Sequence, residues 1–429
     1  MNIVDLTGKT ICILGFGKEG KAMAEALEKH AKGCKITIAD QNSELASGHW
    51  PLVSGPTAFD NLDSYDVIIR SPGISPHELP TTLQFTSPTQ IFLDSIRNSG
   101  AIVIGVTGSK GKSTTSSLIH RIIADRREPK ADCHLVGNIG NPAIAYIDEA
   151  KKEAIFVMEM SSYQLMDLSI SPKIAALTSF FPEHLDYHRS LKSYMEAKRH
   201  ITRFQFASDT VFFNANSSEC EEIAEEGEGK KVPVTADDAP VALKETKLIG
   251  EHNLTNIALA WKVAESLGIQ KEDAIKAIVS FTPLPHRLQS LGVHHGYEWI
   301  NDSISTTPES AIAALDALGD RVSVMILGGQ DRGLDFSGLA KRMKESNVLT
   351  VVTLGESGPR IVKALKDASC GTSIVPVTRL EEAVEKAKSQ LPTAKSPSPI
   401  VLLSPASPSY DQFKNFEERG QQFEKIVNA

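Results

Sequence analysis

Short apolar runs alternate with helical patterns along most of the chain. Three of these runs open what read as separate units: Thr10–Leu14 (TICIL), 101–106 (AIVIGV) and 322–327 (VSVMIL). Each is rich in β-branched or aliphatic residues and has glycine at or beside its end. Continuous apolar runs of this length, without polar alternation, predict strands covered on both faces, as in a parallel sheet. Further strands are predicted over 35–39, 154–160, 174–178 and Ile400–Leu403, and a helix over 116–124. The alternation predicts an α/β protein. Turn signals at 98–100 (NSG) and 282–285 (TPLP) divide it into three domains, 1–98, 99–285 and 286–429, and a Pro/Ser/Lys loop is predicted over 392–399.

Composition narrows the class. Of 429 residues, 41% are hydrophobic and 23% charged, which excludes a disordered tail, a collagen-like fibre and a coiled coil. The net charge of −8 gives no basic excess of the kind that drives binding to nucleic acid or acidic membranes. An anionic substrate therefore needs a local pocket of basic or amide groups. Five cysteines, with no CxxC pair, argue against a disulfide framework or a zinc site and fit a reducing cytoplasm. No leader-like start and no spanning apolar stretch is visible, so neither secretion nor a membrane span is expected.

The sharpest motif is GVTGSKGKSTT at 105–115, after a predicted strand and before a predicted helix. Glycines let backbone N–H groups of such a loop turn inward onto phosphate oxygens, and the helix N-terminus adds its positive end. Gly108, Ser109, Lys110, Gly111, Lys112, Ser113 and Thr114 are therefore the expected ATP loop. Lys112 would reach the β/γ-phosphates and Ser113 would ligate Mg²⁺. The strict Walker spacing would put glycine at 106, which is Val106. A ligand-free glycine turn is the bland alternative.

Gly15-Phe16-Gly17-Lys18-Glu19-Gly20 is a GxGxxG, and Asp40 stands twenty residues beyond it, matching a dinucleotide fingerprint. It reads as NAD binding, or as a Rossmann-type domain serving another nucleotide. Glu159 ends an apolar run and suits Mg²⁺, or is a surface carboxylate. His184, in FPEHLDYH, could ligate metal or accept a proton. Lys198, in YMEAK, reads on composition as a solvated helix lysine. Asn253 and Asn256 share one helical face and suit an adenine edge, or merely cap a helix. Arg287 could clamp phosphate or bridge domains. NDSISTTP (301–308), GGQDRGLD (328–335) and SPASPSYDQFKNF (404–416) follow predicted strand ends, where ligands bind in open α/β sheets. Arg332 and Ser409 are their best carboxylate binders.

Taken in order, TGSKGKSTT, GNIGNP, EMSSYQL, EHLDYH, YMEAK, EHNLTN, PHR, NDS, GGQDRGLDF and SPASPSYDQFKNFEERG resemble the Mur ligase family of peptidoglycan precursor synthesis over essentially the whole chain. The last segment is most similar to the glutamate-adding branch. The resemblance implies a Rossmann-like N-domain for UDP, a central P-loop ATPase domain and a Rossmann-like C-domain for the amino acid. It implies ATP-dependent addition of D-glutamate to UDP-N-acetylmuramoyl-L-alanine through an acyl phosphate, in the cytoplasm, by a monomer serving cell-wall biogenesis and division. Gly15, Phe16, Gly17, Asp40 and Gln41 would lie near uridine, and Ser71, Pro72 and Gly73 near the diphosphate. Asn138 would hold the substrate near the reaction centre. Asn253, Asn256, Arg287 and Asp302 would contact ATP. Two Mg²⁺ ions would be held by Ser113, Glu159, His184 and a carbamylated Lys198, and Lys112 would complete the catalytic set. Arg332, Ser409 and Phe416 would receive glutamate.

One departure stands out. The glutamate-adding members usually carry Asp-Ser-Lys-Ala-Thr-Asn where this chain has Asp302-Ser303-Ile304-Ser305-Thr306-Thr307. Ile304 replaces a lysine of the amino-acid pocket, so L-glutamate is the alternative substrate. From other classes, an NAD-dependent oxidoreductase and a non-catalytic regulator built on a ligase remain.

Overall fold

The computed structural model describes residues 1–125, 132–389 and 398–429, so most of the predicted loop 392–399 lies outside the described residues. The chain forms two compact units, one of residues 1–246 and 252–281, the other of 247–251 and 282–429.

The first unit holds two parallel sheets. The first contains β1 (Thr10–Leu14), β2 (Lys35–Asp40), β3 (Leu52–Ser54) and β4 (Val67–Arg70), in the order β3-β2-β1-β4. The second contains β5 (Ile102–Thr107), β6 (Cys133–Gly137), β7 (Ile155–Glu159), β8 (Ile174–Leu177), β9 (Thr210–Asn214) and β10 (Lys230–Val234), in the order β10-β9-β8-β5-β7-β6. Every pairing in it is parallel. β5 lies between β7 and β8, so the chain reverses its direction of growth there. The crevice outside the carboxyl end of β5 is thus the topological switch point, where such sheets bind ligands.

Apolar side chains of both layers share one core. It includes Ile11, Met23, Phe92, Phe156 and Leu177. Phe92 and Phe156 meet edge to face at 5.3 Å, and each such buried side chain contributes about 1.5–3 kcal/mol. Polar ties cross the same junction: Gln90 Oε1 accepts the Ser169 N–H at 2.8 Å, and Gln164 donates to Glu19 at 2.9 Å.

The second unit has one mixed sheet of β11 (Gln289–His294), β12 (Tyr297–Asn301), β13 (Val322–Gly328), β14 (Thr350–Leu354), β15 (Ser373–Pro376) and β16 (Ile400–Leu403). The order is β11-β12-β16-β13-β14-β15, and only the β11–β12 hairpin is antiparallel. One apolar cluster covers each face, around Leu315 and Leu339 on one and Trp299 and Phe423 on the other. Among the described residues no helix is long and apolar enough to cross a membrane.

The predicted strands are found with small shifts; that expected at 101–106 runs Ile102–Thr107. The helix expected over 116–124 begins earlier, at Lys112. Its first turn is made of Lys-Ser-Thr-Thr from the glycine loop itself, which apolar periodicity does not reveal.

Candidate active site

The loop between β5 and the helix Lys112–Ala124 is anchored to the chain that leaves β8. The Lys110 N–H donates to Ser179 Oγ at 2.8 Å, and Thr178 donates to the Lys110 carbonyl at 2.5 Å. Ser109 Oγ donates to the Phe181 carbonyl and accepts the Phe181 N–H. Lys112 folds back, its ammonium donating to the carbonyls of Gly108 and Ser109 at 2.9 and 2.8 Å. Gly111 caps the helix at φ +84°, and a Cβ there would stand 2.4 Å from Asn256 Oδ1. Only glycine combines that backbone with that approach. Asn256 in turn accepts from Thr115 at 3.3 Å and donates to Asn253 at 2.9 Å. The two amides predicted from spacing alone therefore sit against the start of the phosphate-loop helix.

At the end of β7, Glu159 is buried. Its Oε1 accepts from Asn138 at 2.8 Å, while Oε2 is buried without a hydrogen-bond partner. An uncompensated buried carboxylate oxygen is costly, and a bound cation removes that cost. Lys198, on the helix Leu191–Arg199, is not the solvated lysine that composition suggests. It is 1% exposed, because its helix packs beneath the loop. Its amine donates to the Gly108 carbonyl at 2.9 Å and to Thr107 Oγ1 at 3.3 Å, and lies 4.8 Å from the Tyr194 ring centre. Burial, then the charge of Lys112, pushes it well below the usual lysine range. His184 follows β8 in a left-handed conformation, φ +57°. Burial depresses its basicity too, with Lys112 acting in the same direction. A neutral imidazole keeps a lone pair for metal. A buried carboxylate with an unpartnered oxygen, an imidazole of lowered basicity and a lysine amine of lowered basicity are a set that fits a divalent cation.

The glycine loop after β1 meets the end of β4. Ser71 Oγ donates to the Gly15 carbonyl at 2.8 Å. Asp40 accepts the Phe16 N–H at 2.8 Å through one oxygen and the Asn42 N–H at 2.9 Å through the other. Gly15, Phe16, Gly17, Asp40, Ser71, Pro72 and Gly73 thus converge at the carboxyl ends of β1, β2 and β4, with Gln41 exposed beside them. A Cβ on Gly20 would stand 2.0 Å from the Gly15 carbonyl oxygen.

Glu19, in the first turn of the helix Lys18–His30 that follows this loop, was not singled out by spacing. Burial pushes its carboxyl up to about 7, against the opposing hydrogen bond from Gln164. The folded chain therefore keeps a proton that the unfolded chain loses near pH 4–5. The stability linked to that proton is complete below the unfolded value and is lost as pH rises through about 7. We expect the melting temperature of Glu19→Gln, relative to wild type, to rise between pH 5 and 8. A pH-independent difference would refute this.

In the second unit, Asp302, Gly329 and Ser404 follow the carboxyl ends of β12, β13 and β16. Asp302 is buried and accepts from Ser305 at 2.5 Å, Ser404 at 2.8 Å and the Leu288 N–H at 3.2 Å, next to Arg287. Burial raises its carboxyl to about 6. Arg332 is exposed, 5.5 Å from the Tyr410 ring centre, and donates to Gln330 at 3.0 Å. Ser409 is buried, and Phe416 begins the last helix. Arg419, not predicted, is buried and binds Ser303 and the Ser407 carbonyl, tying the 302–305 and 404–409 segments together. Arg70, Tyr187 and Asp167 were also missed. The one available signal was an arginine closing the apolar strand VIIR.

Residues 106–239 match the model of the Mur ligase middle domain, and 286–406 that of the Mur ligase glutamate ligase domain. The chain is 32% identical to UDP-N-acetylmuramoyl-L-alanine--L-glutamate ligase of Salinispora tropica, covering 100% of this chain and 99% of that one. It is also 32% identical to UDP-N-acetylmuramoylalanine--D-glutamate ligase of Symbiobacterium thermophilum, covering 97% of each. The crystal structure of UDP-N-acetylmuramate-alanine ligase from Thermotoga maritima superposes with a TM-score of 0.61 at 18% identity, covering 98% and 99% of the two chains; it supports the fold alone.

Proposed function

The chain belongs to the Mur ligase family, and from that premise we propose that it joins D-glutamate to UDP-N-acetylmuramoyl-L-alanine at the expense of ATP. The observation that carries the reading is the phosphate loop bonded to the buried amine of Lys198, with the partnerless oxygen of Glu159 at the end of the strand paired with β5. The substrate's alanine carboxylate attacks the γ-phosphorus, ADP leaves, and the amine of glutamate displaces phosphate from the acyl phosphate. The loop N–H groups of 108–114 and Lys112 hold the nucleotide phosphates and offset the charge that develops on them. Asn253, Asn256, Arg287 and Asp302 contact the nucleotide.

Two Mg²⁺ ions would be held by Ser113, Glu159, His184 and Lys198 as its carbamate, and would neutralise charge on the transferred phosphoryl group. A neutral lysine amine attacks carbon dioxide: a C–N bond forms, one proton leaves, and an anionic oxygen ligand replaces a would-be cation. Gly15, Phe16, Gly17, Asp40 and Gln41 contact uridine, Ser71, Pro72 and Gly73 the diphosphate, and Asn138 the reacting end. Arg332, Ser409 and Phe416 receive glutamate. The same reading makes the protein a cytoplasmic monomer with working domains 1–98, 99–285 and 286–429. Against NAD chemistry stands the glycine-rich loop 108–114, which already gives the chain a site for a nucleoside triphosphate.

Ile304 favours testing the other stereoisomer alongside. ADP release is to be measured with the UDP substrate, ATP and Mg²⁺, with D-glutamate, L-glutamate or no amino acid. Turnover with D-glutamate is expected. Turnover with L-glutamate alone would reassign the amino acid, and none with either would overturn the proposal.

A further inference from the structure

Arg70 ends β4 and is completely buried. Its five N–H donors are all engaged. Nε donates to Asp167 at 3.1 Å, and one terminal nitrogen to Asp167 and to the Tyr163 carbonyl. The other donates to the Ile74 carbonyl and, at 2.8 Å, to the Tyr187 hydroxyl. Asp167 supplies the counter-charge without which a buried guanidinium is strongly destabilising.

An ion pair alone would not require the rest of this arrangement. Having accepted from Arg70, the Tyr187 hydroxyl has one proton to give. It faces the Pro72 carbonyl at 2.8 Å and the Ile74 carbonyl at 3.1 Å. Guanidinium and phenol thus meet at the Ile74 carbonyl, and the phenol also reaches the Pro72 carbonyl on the other side of Gly73. Tyr187 lies three residues beyond His184, and its ring stacks on Tyr163 at 3.8 Å. The Tyr163 ring also meets the His184 ring at 5.1 Å. One polar relay therefore runs from the 71–74 loop of the first sheet to the 184–187 turn of the second.

We infer that Arg70 and Tyr187 are positioning residues that hold the 71–74 loop in register with the His184 turn. Binding of the UDP diphosphate on the loop thereby sets the place of the reacting carboxylate. The inference rests on the proposed contact between Ser71, Pro72, Gly73 and the diphosphate.

Tyr187→Phe keeps the ring stack and removes only the hydroxyl. Arg70→Lys keeps the charge but has three donors for five acceptor contacts. In full-length protein, both are expected to raise KM for UDP-N-acetylmuramoyl-L-alanine by about tenfold, the scale of one lost hydrogen bond to a charged or ordered group. KM for ATP should stay within about twofold, and the melting temperature of Tyr187→Phe should remain near that of wild type. An unchanged KM for the UDP substrate in Tyr187→Phe would overturn the inference. So would equal rises in both KM values with a lowered melting temperature, which would make the cluster a fold-holding ion pair only. Calorimetric titration of wild type with the UDP substrate separates the premise: no binding there would defeat the diphosphate reading itself, whatever the variants do.

Discussion

Lys198→Ala is expected to lose about a thousandfold or more in turnover, the scale of losing a group that stabilises charge in the transition state, and excess Mg²⁺ should not restore it. The side chain is buried below the phosphate loop, within hydrogen-bonding distance of Gly108 and Thr107. Burial pulls the amine well below the usual lysine range, which favours the uncharged form that takes up carbon dioxide. As the proposed carbamate it would reach a metal ion on a long stem. Alanine removes the ligand and leaves a cavity, and a higher metal concentration supplies neither. Steady-state ADP release across a Mg²⁺ series is the measurement. Full activity would sink the carbamate assignment, as would intact wild-type protein lacking a carbon dioxide adduct that acid removes.

Glu159→Gln should behave differently. The amide keeps the side chain's volume, and its oxygen can still accept from Asn138. What it loses is the anionic oxygen that now lies buried without a partner. We expect about a hundredfold lower turnover at ordinary Mg²⁺, partly recovered as Mg²⁺ is raised, because a weakened site still exists to be filled. The variant should also be no less stable than wild type, since a neutral amide is easier to bury than an unpaired carboxylate. A Mg²⁺ dependence identical to that of wild type would remove Glu159 from the metal site. The pair of variants separates a ligand whose charge is weakened from one whose reach is lost.

The local motifs were legible in the chain because they depend on local geometry. Thr10–Leu14 and 101–106 read as buried strands because nothing in them faces water. The loop 108–114 read as a phosphate cradle because Gly108 and Gly111 permit the backbone it needs. Asn253 and Asn256 read as one face because a helix repeats every 3.6 residues. The resemblance in motif order assigned Lys198 a role that its own composition argued against.

What the chain alone could not reveal depends on contacts between distant segments. Lys198 is ninety residues from Gly108, and the packing of its helix under the loop is what lowers the basicity of its amine. That Glu159 Oε2 is buried without a partner at the end of β7 follows from its surroundings in the fold and not from the local sequence. Arg70 lies 97 residues from Asp167 and 117 from Tyr187, and Arg419 reaches back to Ser303. Local sequence determined strands, turns and the phosphate loop, since those follow from backbone freedom and periodicity. Desolvation and long-range hydrogen bonding decided which groups depart from their ordinary basicity, which carboxylate oxygen is buried without a partner and which loops are tied together, and those are properties of the folded whole.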